Sequence, residues 1–154
     1  MTLDLTGHEE ELHRIFARHG VILAYLFGSQ AEGKAGPLSD VDIAVLLGPQ
    51  VPQGRWTDVQ IDLINDLIGL FHRDDIDVAI LNRATPLFAY QVVRFGRVIY
   101  EDATHPAVDF AAYSIRRYAD TAPLRRLKKE YFGEWVREHR QTVAEPSKPY
   151  RWGK

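Results

Sequence analysis

The stretch LFGSQAEGKAGPLSDVDIAVLLG, residues Leu26–Gly48, joins a Gly-Ser pair and a polar loop to two acids in an apolar run. The run Asp40–Leu47 predicts a buried β-strand. Side chains at positions i and i+2 of a strand point to the same face. Asp40 and Asp42 therefore lie on one face, about 7 Å apart along the strand. The intervening apolar residues face the other way: Val41, Ile43, Val45 and Leu47.

A third acid occurs in the same setting. Asp77 stands in DDIDVAIL and begins a predicted strand, Ile76–Leu81, in which Ile76 and Val78 share the opposite face. Neighbouring carboxylates repel each other, and burial increases the repulsion. A divalent cation relieves it, because Mg²⁺ prefers carboxylate oxygens, water and phosphates. Three acids on adjacent strands can hold two metal ions about 3.5–4 Å apart, the arrangement used for in-line displacement at phosphorus.

Each acid alone also has an ordinary structural interpretation. Ser39-Asp40 suits a turn, Asp42 could be an exposed strand residue, and Asp77 could be a charge at the edge of a strand. The occurrence of all three acids after a Gly-Ser pair favours a metal and phosphate site over these interpretations.

The Gly-Ser pair, Gly28-Ser29, directly follows a predicted strand, Val21–Phe27. Glycine lets a phosphate approach the backbone N–H groups, and the Ser29 hydroxyl adds a donor. The segment is not a Walker loop, because Ala35 follows Lys34 where that motif requires Ser or Thr.

Composition limits the class of protein. The chain has 154 residues, a net charge of -2 and no cysteine, which is about one domain without disulfides, thiolate metal sites or a cysteine nucleophile. No overall basic field indicates general affinity for nucleic acid. No signal-peptide pattern is seen, and no apolar run reaches the roughly 18 residues that span a bilayer. We expect a cytoplasmic protein without a membrane segment.

The pattern of breakers and apolar positions predicts an α+β core followed by helices. We expect N-caps at Thr6, Thr57 and Thr85, with Glu9 completing a capping box at the first. Gly20 should end the first helix. A fourth strand is expected at 97–100, and helices from about 105 to 139 with a break at Pro123. This gives a core of residues 1–103, a helical extension of residues 104–143 and a tail, 144–154, that we expect to be mobile.

The segment GSQAEGKAGPLSDVD resembles the nucleotidyltransferase signature of the DNA polymerase β superfamily. That signature has Gly-Ser, a small residue, Gly, a spacer, Ser-Asp-x-Asp and a third Asp on a later strand. The matching positions are Gly28, Ser29, Ala31, Gly33, Ser39, Asp40, Asp42 and Asp77. The resemblance implies a small mixed sheet with flanking helices. It also implies nucleotide binding by Gly28, Ser29 and Ser39, the first two at the terminal phosphates.

The resemblance further implies roles for the acids. Asp40 and Asp42 would hold the Mg²⁺ that binds the nucleotide phosphates, and Asp77 would help hold a second Mg²⁺ and deprotonate the attacking hydroxyl. The short chain is similar to the minimal nucleotidyltransferases and, among them, to MntA-type antitoxins, which pair with HEPN-domain toxins. This implies transfer of AMP from ATP to a tyrosine of the toxin, silencing its ribonuclease activity. Glu32 departs from the pattern, because family members often carry arginine there.

Two other functions stay open. One is a nucleotidyltransferase for a small-molecule acceptor such as an aminoglycoside, and the other is a non-catalytic antitoxin that acts by binding alone. Only about fifty residues follow the core, which leaves little room for an acceptor-binding domain and favours a protein acceptor. The helical extension interleaves basic and aromatic residues, a composition that suits an interface. The intact set of acids argues against binding alone.

Overall fold

A computed structural model describes residues 3–28 and 40–138, which form a four-stranded sheet with flanking helices. The helices are α1 (Glu9–Arg18), α2 (Trp56–Phe71), α3 (Pro86–Phe95), α4 (Ala107–Asp120) and α5 (Ala122–Glu138). The strands are β1 (Val21–Phe27), β2 (Val41–Leu47), β3 (Ile76–Ile80) and β4 (Arg97–Glu101). The predicted α+β class is confirmed, and the predicted strands agree with the observed ones to within one residue at each end.

The sheet is mixed, with strand order β3-β2-β1-β4. The β1 strand pairs antiparallel with β2 and β4, whereas β2 pairs parallel with β3. A parallel pair needs a crossover connection, and α2 supplies it between β2 and β3. Because β1 runs antiparallel to β2, the first residues of β2 and β3 lie at the edge of the sheet where β1 ends.

The two faces of the sheet have different roles. The face beneath α1 and α2 carries the larger core, in which Ile43 and Val45 of β2 are fully buried against Phe16 and Leu63. Burying one such side chain contributes about 1.5–3 kcal/mol. The other face packs a smaller cluster against α3 and α4, with residues Leu23, Tyr25, Ala44, Leu81, Ala89, Val92 and Phe110.

Two predicted helix caps are wrong and one is correct. Gly7 has φ +85°, so the chain turns there and α1 begins only after it, with His8 as an N-cap that makes no side-chain bond. A short 3₁₀ turn precedes α2, which places Thr57 inside the helix rather than at its cap. Thr85 does cap α3, where its hydroxyl accepts from the Phe88 N–H at 3.2 Å.

The chain divides into two compact units, Met1–Tyr118 and Ala119–Lys154. The first contains the sheet and nearly all of α4, and the second contains α5, which has no buried residue. The expected tail, 144–154, lies outside the described residues, and the division at residue 103 stays a prediction. Across the described ranges, no helix is long and apolar enough to cross a membrane.

The Thr85 cap gives a test of how α3 is held. Thr85→Ala removes the acceptor of the Phe88 N–H and should lower the free energy of unfolding by about 1 kcal/mol, measured by urea denaturation. Thr57→Ala is the matched control, because it removes only an exposed hydrogen bond from Arg83 at 3.2 Å and should change stability by less than about 0.5 kcal/mol. Equal losses in the two variants would contradict the assignment of the cap.

Candidate active site

The sheet brings the predicted acids together at one edge. Asp42 pairs with Phe27 of β1 on one side and with Asp77 of β3 on the other. Asp40 is exposed and immediately precedes β2. The alternate residues of both strands lie in the core beneath α1 and α2, so the side chains of Asp42 and Asp77 lie on the opposite face. The predicted strand parity of both acids is therefore confirmed.

Like charges meet at Asp42. Partial burial raises the pKa of the Asp42 carboxyl above its ordinary value of 3.8, and the charges of Asp77 and Asp40 raise this pKa further. The contributions of the two charges place Asp77 and Asp40 within electrostatic range of Asp42, because a carboxylate loses a proton less readily beside other carboxylates. A cation bound at this edge would relieve the repulsion.

Gly28 brings the end of β1 against the same carboxylate. Its φ of +73° lies in the left-handed region that side chains disfavour. A Cβ atom built on Gly28 would stand 2.7 Å from Asp42 Oδ2, closer than any van der Waals contact. Glycine is therefore required here both for backbone conformation and for space. The other predicted loop residues, Ser29 and Ser39, lie outside the described residues, as does Glu32.

An arginine that sequence analysis did not assign flanks the acids. Arg73 Nε donates to Asp75 Oδ1 at 2.7 Å, and a second bond joins Nη2 to Oδ2. This ion pair raises the pKa of Arg73, and the charge of Asp40 adds to the effect. The Asp75 carbonyl accepts from the Val41 N–H at 2.9 Å. Arg73 thus places positive charge near the acids where β2 begins. In the sequence, the signal for this ion pair was an arginine two residues before Asp75.

The donors at this edge fit a hard divalent cation in their chemistry, since all three acids offer carboxylate oxygens, which Mg²⁺ prefers. The negative charges of Asp77 and Asp40 near the half-buried Asp42 also favour a bound cation at this edge. Asp77 Oδ1 accepts from the Val78 N–H at 2.9 Å, so this carboxylate contacts its own strand. Within 3–28 and 40–138, no three His, Cys, Asp or Glu side chains are grouped closely enough to hold a metal ion.

The raised pKa of Asp42 predicts a pH-dependent stability. The folded state binds a proton at Asp42 more readily than the unfolded chain does. Protonation of Asp42 therefore stabilises the fold below the ordinary pKa of 3.8, and this stabilisation is lost as pH rises through the folded pKa. Above that window, charged Asp42 destabilises the fold. Asp42→Asn should therefore melt at a higher temperature than the wild type at neutral pH, with a chelator present.

The gain in melting temperature of Asp42→Asn should shrink as the solution is acidified toward the ordinary carboxyl pKa. Asp62→Asn is the control, because Asp62 is an exposed acid on α2 and its replacement should leave the melting temperature nearly unchanged. A loss of stability in Asp42→Asn at neutral pH would show that repulsion does not dominate at this edge.

The close approach of Gly28 to Asp42 makes a second stability prediction. Gly28→Ala should cost at least about 1–2 kcal/mol from the left-handed backbone alone, and the added methyl displaces the carboxylate. Gly69→Ala is the matched control, because a Cβ there meets nothing within 4 Å and alanine inside a helix stabilises by roughly 0.5–1 kcal/mol. Denaturant unfolding measures both changes, and a neutral Gly28→Ala would refute the proposed constraint.

Comparison with known proteins agrees with this geometry. The polymerase beta nucleotidyltransferase family model matches residues 10–105. The protein adenylyltransferase MntA of Aphanizomenon flos-aquae (strain 2012/KM1/D3) is 29% identical over 109 residues, which are 68% of this chain and 71% of that protein.

Solved structures share the fold. A toxin–antitoxin crystal structure with AMP-PNP superposes with TM-score 0.65 and 24% identity, over 80% of this chain and 98% of that one. A tri-AMPylated Shewanella oneidensis HEPN toxin in complex with MNT antitoxin gives TM-score 0.59 and 22% identity, over 80% and 95%. The predicted polymerase-β-like fold is confirmed. By its sequence match and by the edge where Gly28 meets the acids of two parallel strands, the chain belongs to the polymerase-β nucleotidyltransferase family.

Proposed function

We propose that this protein is an adenylyltransferase antitoxin that transfers AMP from ATP to a tyrosine of a partner HEPN-type ribonuclease toxin and so neutralises it. The pairing of Asp42 with Asp77 beside Gly28 carries the proposal. It places two carboxylates next to a backbone that a phosphate can approach without meeting a side chain. Two similar proteins support a protein as the acceptor. One is a protein adenylyltransferase, and another is an antitoxin in complex with an AMPylated HEPN toxin.

The acids would serve as the metal-binding residues. Asp40, Asp42 and Asp77 would hold Mg²⁺, with two ions expected, and these ions supply charge neutralisation for the phosphates of ATP. Arg73, placed within electrostatic reach of Asp40, limits the net negative charge that the phosphates would meet. Gly28 and Ser29 would contact the terminal phosphates, with Ser39 also at the nucleotide.

The proposed reaction is one displacement at phosphorus. The tyrosine hydroxyl oxygen of the acceptor forms a bond to the α-phosphorus, and the bond from that phosphorus to the oxygen bridging to the β-phosphorus breaks. Pyrophosphate leaves with that electron pair. The Asp77 carboxylate accepts the hydroxyl proton, a role that suits an exposed carboxylate directly beside Asp42.

The C-terminal helices support a protein acceptor. Within α5, no residue is buried, and large apolar side chains are exposed to solvent. Leu124 is 67% exposed, Tyr131 is 76% exposed and Phe132 is 64% exposed. On α4, Tyr113 is 50% exposed. Exposed apolar side chains on a helix with many basic residues are typical of surfaces that bind another protein.

The test incubates the protein with ATP, Mg²⁺ and the product of the neighbouring reading frame, followed by intact mass spectrometry of that product. The expected result is a mass gain of one or more AMP units on tyrosine. Asp77→Asn should slow the transfer by about 10²–10⁴-fold, the usual effect of removing a general base. Asp40→Asn combined with Asp42→Asn should abolish it. Asp62→Asn, an exposed acid on α2, should transfer at the wild-type rate.

Other results would identify a different function. Tight binding of the toxin without any mass gain would indicate an antitoxin that acts by binding alone. Modification of an aminoglycoside but not of the toxin would indicate a small-molecule acceptor. Transfer that survives the double change of Asp40 and Asp42 would refute the catalytic assignment.

A further inference from the structure

A cleft of about 290 Å³ lies beside the acids, between the end of β1 and helix α3. Its lining residues are Phe27, Gly28, Phe88, Gln91, Val92 and Phe95. Gly28 belongs both to the cleft and to the edge where a Cβ would touch Asp42 Oδ2. Through Gly28, the cleft adjoins the place where the phosphates of a nucleotide are proposed to lie.

The walls of the cleft are aromatic. The rings of Phe27 and Phe88 pack edge to face, with 5.5 Å between their centroids. Phe95 is 52% exposed, so its ring is accessible from the cleft. The Arg94 guanidinium lies 5.0 Å from the centroid of the Phe95 ring. Exposed aromatic rings with arginine nearby are the surfaces on which proteins stack nucleic-acid bases.

Gln91 gives the described part of the cleft lining its polar side chain. Among the lining residues that the structure describes, none is charged. Gln91 is exposed on α3, so its amide can reach a ligand in the cleft. A glutamine amide donates and accepts at once, and it pairs with the N6 and N7 atoms of adenine. The aromatic walls with the Gln91 amide beside them suit a flat heterocycle.

We propose that this cleft binds the base of the nucleotide, with Phe95 as a stacking surface and Gln91 as the residue that selects adenine over guanine. The inference rests on the proposed function, since it assigns the base of the nucleotide whose phosphates Gly28 and the acids receive. It adds a specificity determinant on α3, outside the loop and strand residues of the nucleotidyltransferase signature.

The test separates the base from the phosphates. Calorimetry with Mg²⁺ measures the binding of ATP, GTP and inorganic tripolyphosphate to the full chain. Phe95→Ala should weaken ATP binding by about 5- to 150-fold, the range for loss of one stacked base. Gln91→Ala should reduce the preference for ATP over GTP by a similar factor. Neither variant should alter the affinity for tripolyphosphate, whereas Asp42→Asn should weaken all three ligands.

Matched controls test whether these effects belong to the cleft. Leu87→Ala removes an exposed apolar side chain from the same helix outside the cleft lining, and Gln53→Ala removes an exposed glutamine from the turn before α2. Both should bind all three ligands as the wild type does. Melting temperatures show that the cleft variants remain folded.

Three results would overturn the inference. If ATP and GTP affinities are unchanged in both cleft variants, the base lies elsewhere. If the variants raise only the KM for the toxin, the cleft receives the acceptor tyrosine instead. A wild-type protein that binds neither ATP nor tripolyphosphate overturns the proposed function and this inference with it, whereas the first two results overturn the inference alone.

Discussion

The structure depends on the register between β2 and β3, which holds Asp42 directly beside Asp77. Two carboxylates placed side by side repel each other, so this pairing is unfavourable for the acids themselves. The opposite face of the same strands provides the opposing force, because Ile43 and Val78 are almost completely buried there. A slip of one residue would move the apolar side chains out of the core and the acids into it. The core therefore enforces the proximity of the acids.

This balance explains why the two faces of the sheet differ. The face beneath α1 and α2 contains the larger core and supplies stability, whereas the α3 face carries a smaller cluster and leaves room for chemistry. Electrostatic strain at Asp42 is the expected signature of a functional site, where perturbed pKa values concentrate. The left-handed Gly28 belongs to the same arrangement, since it lets the backbone approach the strained carboxylate without a side chain between them.

The proposed division of roles follows from what each part of the chain offers. The edge of the sheet and the cleft against α3 provide for the nucleotide: acids and an open backbone for phosphates, aromatic rings and one amide for the base. Among the described residues we assign no comparable site to the acceptor, and α5 exposes its apolar side chains rather than burying them. A partner protein that carries its own tyrosine would complete both the reaction and the surface.

The sequence by itself determined the local features. Alternation with period two predicted β2, β3 and the faces of their acids, and Thr85-Pro86 predicted the start of α3, because these depend on neighbouring residues alone. The Thr6 and Thr57 caps were mispredicted, because the turn at Gly7 and the 3₁₀ turn before α2 change where the helices begin. Only the tertiary structure decided that Asp42 lies beside Asp77, that Arg73 lies near Asp40 and that a cleft opens between β1 and α3. Each of these arrangements involves residues far apart in the chain. Their distances depend on strand register and helix packing, which no local sequence pattern encodes.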